Sequence, residues 1–206
     1  MKILLLLLVL VCATPTLAAD ISGNVTLAST YDFRGMTQTN QEPAIQGGFD
    51  VVTDSGFYIG TWASNIAFDG SIEIDLYAGM SKTIGHTTID VGVIHYAYPG
   101  QPAGQADSNF NEVYVSASKW DLTIGAAFSP EFFGETGTSK YYWTDYTAGD
   151  SGFSMHAGRT VGALEYTDWE IIYSRSFPSF DAFVSYGETS GDVEEDGVTV
   201  GISKSL

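Results

Sequence analysis

From Ile21 to Leu206 the chain runs in short stretches of alternating apolar and polar residues, and no long window carries a 3.6-residue period. In Ser71-Ile72-Glu73-Ile74-Asp75-Leu76-Tyr77-Ala78-Gly79-Met80 one parity holds Ile72, Ile74, Leu76, Ala78 and Met80. The other holds Ser71, Glu73, Asp75, Tyr77 and Gly79. Thr88-Ile89-Asp90-Val91-Gly92-Val93, Leu122-Thr123-Ile124-Gly125-Ala126-Ala127-Phe128 and Val198-Thr199-Val200-Gly201-Ile202-Ser203 repeat the pattern. Successive strand residues point to opposite faces, so each stretch predicts a strand with one greasy face and one small, polar or acidic face. Twelve strands are predicted, near 23–33, 44–52, 57–65, 72–83, 87–98, 111–119, 122–129, 140–146, 153–161, 166–177, 180–187 and 197–206.

The connections sort into two sets. Asp54-Ser55-Gly56, Ile84-Gly85-His86, Trp120-Asp121, Ala148-Gly149-Asp150-Ser151-Gly152 and Pro178-Ser179 are tight and rich in turn formers. They alternate with longer connections at 35–43, 99–110, 130–139 and 188–196, and only 66–71 is short on that side. The fold class this predicts is all-β: an antiparallel up-and-down β-barrel of about twelve strands, with one quiet rim and one elaborate rim. In a transmembrane barrel those rims are the periplasmic turns and the outward loops. Alternation alone does not say whether the greasy face meets lipid or a soluble core. A soluble periplasmic barrel is the competing reading at this point.

The N-terminus favours export. Lys2 precedes an apolar run of nine residues, Ile3 to Val11, and Thr16-Leu17-Ala18-Ala19 offers small residues for cleavage. Nine apolar residues fall well short of the ~20 a spanning helix needs. Residues 1–19 are therefore expected to be a cleaved signal peptide and 20–206 a single outer-membrane barrel domain. Cys12 is the only cysteine and lies inside the signal, which leaves no disulfide framework, thiolate metal ligand or cysteine nucleophile after cleavage. The formal charge is −17, and losing Lys2 makes it one unit more negative. Such acidity excludes nucleic acid as a partner and points toward cations. The 23 glycines and the heavy load of Tyr, Phe and Trp suit a barrel whose strands bend and whose rims sit at membrane interfaces.

One stretch is also familiar as a sequence. Phe33-Arg34-Gly35-Met36-Thr37-Gln38-Thr39 is followed by Pro43-Ala44-Ile45-Gln46-Gly47-Gly48-Phe49-Asp50 and Gly56-Phe57-Tyr58-Ile59-Gly60-Thr61-Trp62-Ala63-Ser64-Asn65. With Glu73-Ile74-Asp75-Leu76-Tyr77-Ala78-Gly79, and Asp90-Val91-Gly92 leading into Tyr96-Ala97-Tyr98-Pro99, it resembles the TorF family of porins. That family was earlier catalogued as the proteobacterial conserved-hypothetical Gcw family. The likeness is dense over 31–99, continues through Phe110-Asn111-Glu112-Val113-Tyr114-Val115 and Ser129-Pro130-Glu131-Phe132-Phe133-Gly134, and thins after Tyr146. It implies an outer-membrane barrel and brings no proven substrate.

The polar faces put Asp32, Arg34, Asp50, Glu73, Asp75, Asp90, Glu112 and Glu170 in the lumen as candidate pore-lining residues. An Arg or Lys facing lipid at the midplane would cost about 2–4 kcal/mol. An acidic lumen concentrates cations and repels anions, so the expected function is a small outer-membrane porin for cationic or neutral solutes. The competing reading is a closed structural or surface-interaction barrel in which Arg34 pairs with acids and plugs the lumen. Arg34 itself reads either as a constriction residue or as an arginine snorkelling at the rim beside a turn at Gly35. Asp192-Val193-Glu194-Glu195-Asp196-Gly197 fails as a calcium loop, because position three is Glu and position twelve is Ser203. It reads as a solvated acidic loop able to meet lipopolysaccharide through divalent ions. His86 falls in a tight turn, His95 on the greasy parity and His156 on the luminal parity. No G-x-S-x-G, H-E-x-x-H or P-loop pattern occurs, so no enzyme, no cofactor and no metal site is expected. Lipid, lipopolysaccharide and small solutes are the expected partners.

Overall fold

The computed structural model describes residues 19–101, 108–133 and 137–206. All of the expected signal segment but Ala19 lies outside the described residues, as do the middle of the 99–110 connection and part of 130–139. Twelve strands close into an antiparallel barrel. They are β1 (Ala19–Ala28), β4 (Ala44–Thr53), β5 (Phe57–Asn65), β6 (Ile72–Ile84), β7 (Thr87–Ala97) and β8 (Phe110–Lys119), then β9 (Leu122–Ser129), β10 (Ser139–Thr147), β11 (Phe153–Gly162), β12 (Tyr166–Phe177), β13 (Phe180–Gly191) and β14 (Asp196–Ser205). Each strand pairs with its neighbour in sequence, and β1 closes onto β14 with Asn24 opposite Ser205. Two further short strands, β2 (Asp32–Phe33) and β3 (Met36–Thr37), form a separate hairpin between β1 and β4.

That hairpin is the main departure from the sequence reading. The first strand was expected to run through Phe33; β1 ends at Ala28 instead. Asp32 and Arg34 therefore belong to an inserted hairpin and not to the barrel wall. The rims differ less than expected. Besides 66–71, the loop rim holds two more short connections: 192–195, because β13 runs on to Gly191, and 163–165, which the expected strand bounds 153–161 and 166–177 already left short. The tight turns fall where expected, and a 3₁₀ turn at Gly149–Ser151 sits within the longest of them.

The greasy parity faces outward. Val91, Val93, Val113, Val115, Ile124, Ile171, Val198 and Val200 are all exposed. A water-soluble barrel would bury this face, so the burial pattern answers the question that alternation left open. The outward charges support it. Lys82, Lys119, Lys140, Arg159, Arg175 and Lys204 all carry the outward parity, and each lies within a few residues of a strand end. Charged groups on a lipid-facing wall are cheap at the interfaces and costly at the midplane. Aromatic pairs such as Phe153–Tyr173 and Phe177–Phe180 ring the turn rim, as an interfacial girdle does.

Inside, glycines make room for rings. A Cβ at Gly60 would meet Tyr77, one at Gly79 would meet Tyr58, and one at Gly92 would meet Tyr114, each at 2.6 Å or less. Gly125 lies beneath Trp143, Gly158 beneath Tyr141 and Gly201 beneath Phe183 in the same way. Each of these six inward aromatics thus lies against the neighbouring strand's backbone, and the lumen keeps the space that a projecting ring would fill.

Candidate functional site

The lumen is organised by the hairpin. The chain leaves β1 at Ala28 and turns inward, and from its tip the Arg34 side chain reaches β8 and β10. Arg34 (φ 52°) and Gly35 (φ 78°) form its tip, the doubly left-handed geometry of a two-residue hairpin turn. A Cβ on Gly35 would lie 2.5 Å from Thr189 Cγ2 and 3.1 Å from Asp168 Cβ, so the tip rests directly on β12 and β13. Only a residue without a side chain fits there.

Contacts fasten the hairpin on every side. Tyr31 packs edge-on against Trp62 with centroids 5.1 Å apart, and its hydroxyl donates to Glu73 at 3.2 Å. Phe33 packs edge-on against Tyr96. Thr199 donates to Asp32 at 3.0 Å, and the Thr37 amide donates to Glu195 at 2.8 Å. Arg34 makes a two-pronged bond to Glu112, at 3.1 and 2.7 Å, and its guanidinium carbon lies 4.0 Å from the centre of the Tyr141 ring. Burial opposes the charge on Arg34, but Glu112 outweighs it and holds the guanidinium protonated. Burial drives the Tyr31 phenol well above its ordinary range, with the Glu73 and Asp75 charges adding to the shift, so it remains a donor.

On the β5–β9 side the hairpin meets an apolar cluster of Ile66, Tyr96, Tyr98, Phe110 and Phe132, joined by Tyr31, Phe33, Phe68 and Phe133. Tyr96 and Phe110 stack with centroids 4.2 Å apart. Two cavities of about 430 and 340 Å³ flank the tip, and Arg34, Tyr141 and His156 line both. The larger runs along β12–β14 and β1, past Asp168, Glu170, Phe183 and Thr199.

The eight residues singled out from sequence separate into three groups. Asp32 and Arg34 sit on the hairpin. Arg34 is buried in the lumen with a side chain 9% exposed, so the snorkelling alternative does not describe it. Glu73, Asp75 and Glu112 have the inward parity but are sealed beneath the hairpin and the aromatic cluster. Asp50, Asp90 and Glu170 remain partly open. Asp50 accepts from the Tyr77 hydroxyl at 2.5 Å and Asp90 from Tyr58 at 2.6 Å, with Tyr58 and Tyr114 bonded to each other. The acidic loop is only partly solvated, because Glu195 turns in to the hairpin and Asp192 caps the Glu165 amide.

Sequence reasoning passed over Asp145 and Asp168. His156 lies between them, with Nδ1 2.6 Å from Asp145 and Nε2 3.0 Å from Asp168, and the Tyr141 hydroxyl is 2.6 Å from the same Nε2. Both acids carry the inward parity of Trp143 and Glu170, and that signal was available. Among the described residues the inner wall carries carboxylates, the imidazole of His156 and no lysine or arginine; the guanidinium of Arg34 arrives on the hairpin. No group of three potential ligands that could hold a metal occurs among the described residues.

Comparison with solved structures supports the architecture. The KdgM porin in complex with disordered oligogalacturonate matches with a TM-score of 0.59 at 13% identity, covering 92% of this chain and 99% of that one. A second KdgM porin structure matches with a TM-score of 0.57 at 12% identity, over 92% of this chain and 99% of that one. The NanC porin matches with a TM-score of 0.50 at 10% identity, over 91% and 100%. At these identities the likeness is one of fold. No curated protein matches the sequence. A family model described as "Bacterial protein of unknown function (Gcw_chp)" matches residues 12–201.

Proposed function

We propose, for a chain that belongs to the Gcw_chp family, a bacterial family of unknown function, that the barrel is a narrow porin of the outer membrane passing small cationic and neutral solutes. Residues 1–19 act as its cleaved leader, the turn rim faces the periplasm and the loop rim faces outward. The observation that carries the reading is the division of charge between the two walls. The outer wall is apolar with basic residues only near strand ends. Asp145, Asp168 and Glu170 line the cavities beside the hairpin, and Asp50 and Asp90 carry the same inward parity elsewhere on the wall, on the Tyr77 and Tyr58 hydroxyls.

Such a lumen raises the local concentration of cations and repels anions. The likeness to a porin seen with oligogalacturonate therefore does not extend to cargo, because an acidic oligosaccharide would meet carboxylates along this wall. Solutes pass beside the hairpin, through the larger cavity that Glu170, Phe183 and Gly187 line. The hairpin acts as a constriction.

The hairpin also favours a second reading, a barrel closed by its own loop. Its anchors reach β6, β7, β8, β10 and β14, which is dense fastening for a flexible constriction. Purified protein in a planar bilayer separates the two. The porin reading expects discrete current steps above background. A silent bilayer, with correctly folded protein inserted, would establish the closed barrel.

A further inference from the structure

We propose that the Arg34 pocket is a receptor for small organic cations bearing a guanidinium or primary ammonium group, occupied here by the chain's own side chain. The inference needs the channel reading only in that solutes must reach the lumen.

The fixed half of the pocket belongs to the wall. Glu112 on β8, Tyr96 on β7 and Tyr141 on β10 are set by barrel ladders. Both Glu112 oxygens face the guanidinium, Tyr96 donates to one of them at 3.2 Å, and the Tyr141 ring covers the cation from one side. A carboxylate fork beside an aromatic face is what a planar cation requires.

The occupying half comes from a hairpin with strands of two residues each. Arg34 sits there at φ 52°, a left-handed conformation that a non-glycine side chain disfavours. Asn, Asp or Gly would fit the turn better. The turn therefore carries an arginine because of what its side chain reaches. The cation is the removable part, and the receptor would survive its departure.

Two further observations point to a ligand from solution. The cavities on either side of Arg34 give access from both halves of the lumen. Asp168, which meets Tyr141 and His156 through Oδ2 and lines the larger cavity, is 3% exposed, and its Oδ1 has no hydrogen-bond partner. A solute with cations at both ends would satisfy Glu112 with one and Asp168 with the other.

Agmatine, with a guanidinium at one end and an ammonium at the other, is the probe. Calorimetric titration in detergent compares the native protein with Arg34→Ala and with Arg34→Ala/Glu112→Gln. The emptied pocket of R34A is expected to bind agmatine at least tenfold more tightly than the native protein, and the added Glu112 change removes that gain. Equal affinity in native and R34A, or a gain that survives E112Q, would overturn the proposal. A second measurement uses the native Arg34 and so does not depend on how R34A folds. A nitroxide on Glu42→Cys, in exposed chain between the hairpin and β4, should become more mobile on adding agmatine and not on adding a neutral polyol. An unchanged spectrum at saturating agmatine would also overturn it. Both readouts are binding, not current. A silent barrel that binds agmatine sinks the channel reading alone, and a conducting barrel that ignores agmatine sinks this one alone.

Discussion

Gly125→Ala tests whether inward glycines hold the aromatic side chains off the lumen. Gly125 faces Trp143 directly across the β9–β10 ladder. A Cβ there would lie 2.1 Å from Trp143 Cζ2, 2.3 Å from Cε2 and 2.5 Å from Cη2, whereas ordinary contact begins at 3.4 Å. The indole must retreat by about 1.3 Å, and interiors packed at crystal-like density yield little sideways. The open direction is the 340 Å³ cavity that Trp143 lines. Overpacking of this kind costs about 1–3 kcal/mol. Gly197→Ala is the internal control. Gly197 also lines the lumen, on β14, but nothing lies within 4 Å of its added Cβ. There the change should be neutral or stabilise by about 0.4–1 kcal/mol through the unfolded chain. Denaturant midpoints in detergent, followed by tryptophan fluorescence, should fall for G125A and not for G197A, and conductance should drop only for G125A. Adding Trp143→Leu should recover most of the lost stability. Equal midpoints for the two alanines would refute the packing argument.

Three other outcomes follow from the same geometry. Val91→Arg, at the middle of the outward belt, should cost about 2–4 kcal/mol when unfolding is measured from lipid vesicles; a cost below about 1 kcal/mol would contradict a lipid-facing wall. Glu112→Ala leaves Arg34 charged and unpaired in a buried site and should destabilise by about 3–5 kcal/mol, while Arg34→Met/Glu112→Leu recovers most of it. Strict additivity of the two sites would refute the coupling. Tyr31→Phe removes the donor to Glu73, whose other oxygen already lacks a partner, and should cost about 1–3 kcal/mol by thermal unfolding in detergent; no shift would mean that water replaces the phenol.

Much of the barrel was legible because strand alternation is local. The stretch from Ile72 to Ile84 sorts its residues between two faces with no help from distant chain, and the tight turns mark the hairpin period. The hairpin was hidden for a physical reason. Thr30-Tyr31-Asp32-Phe33 continues the alternation, and nothing within it separates a strand climbing the wall from one folding into the lumen. The decision rests on Thr189, Asp168 and Glu112, far off in sequence. The state of Glu73 was hidden likewise. Its parity is written in its neighbours, but its burial depends on Tyr31, Tyr98 and the aromatic cluster. Asp145 and Asp168 were readable by parity, since they share it with Trp143 and Glu170.

If inner-wall carboxylates select what passes, the reversal potential under a salt gradient follows their charge. Native protein in a planar bilayer should reverse toward the potassium equilibrium potential, and Asp50→Asn/Asp90→Asn/Glu170→Gln should move the reversal toward zero while the barrel still forms. These three sites are chosen because the lumen reaches them, whereas Glu73 and Asp75 lie sealed. An anion-selective native pore, or a cation preference unchanged in the triple variant, would contradict the account.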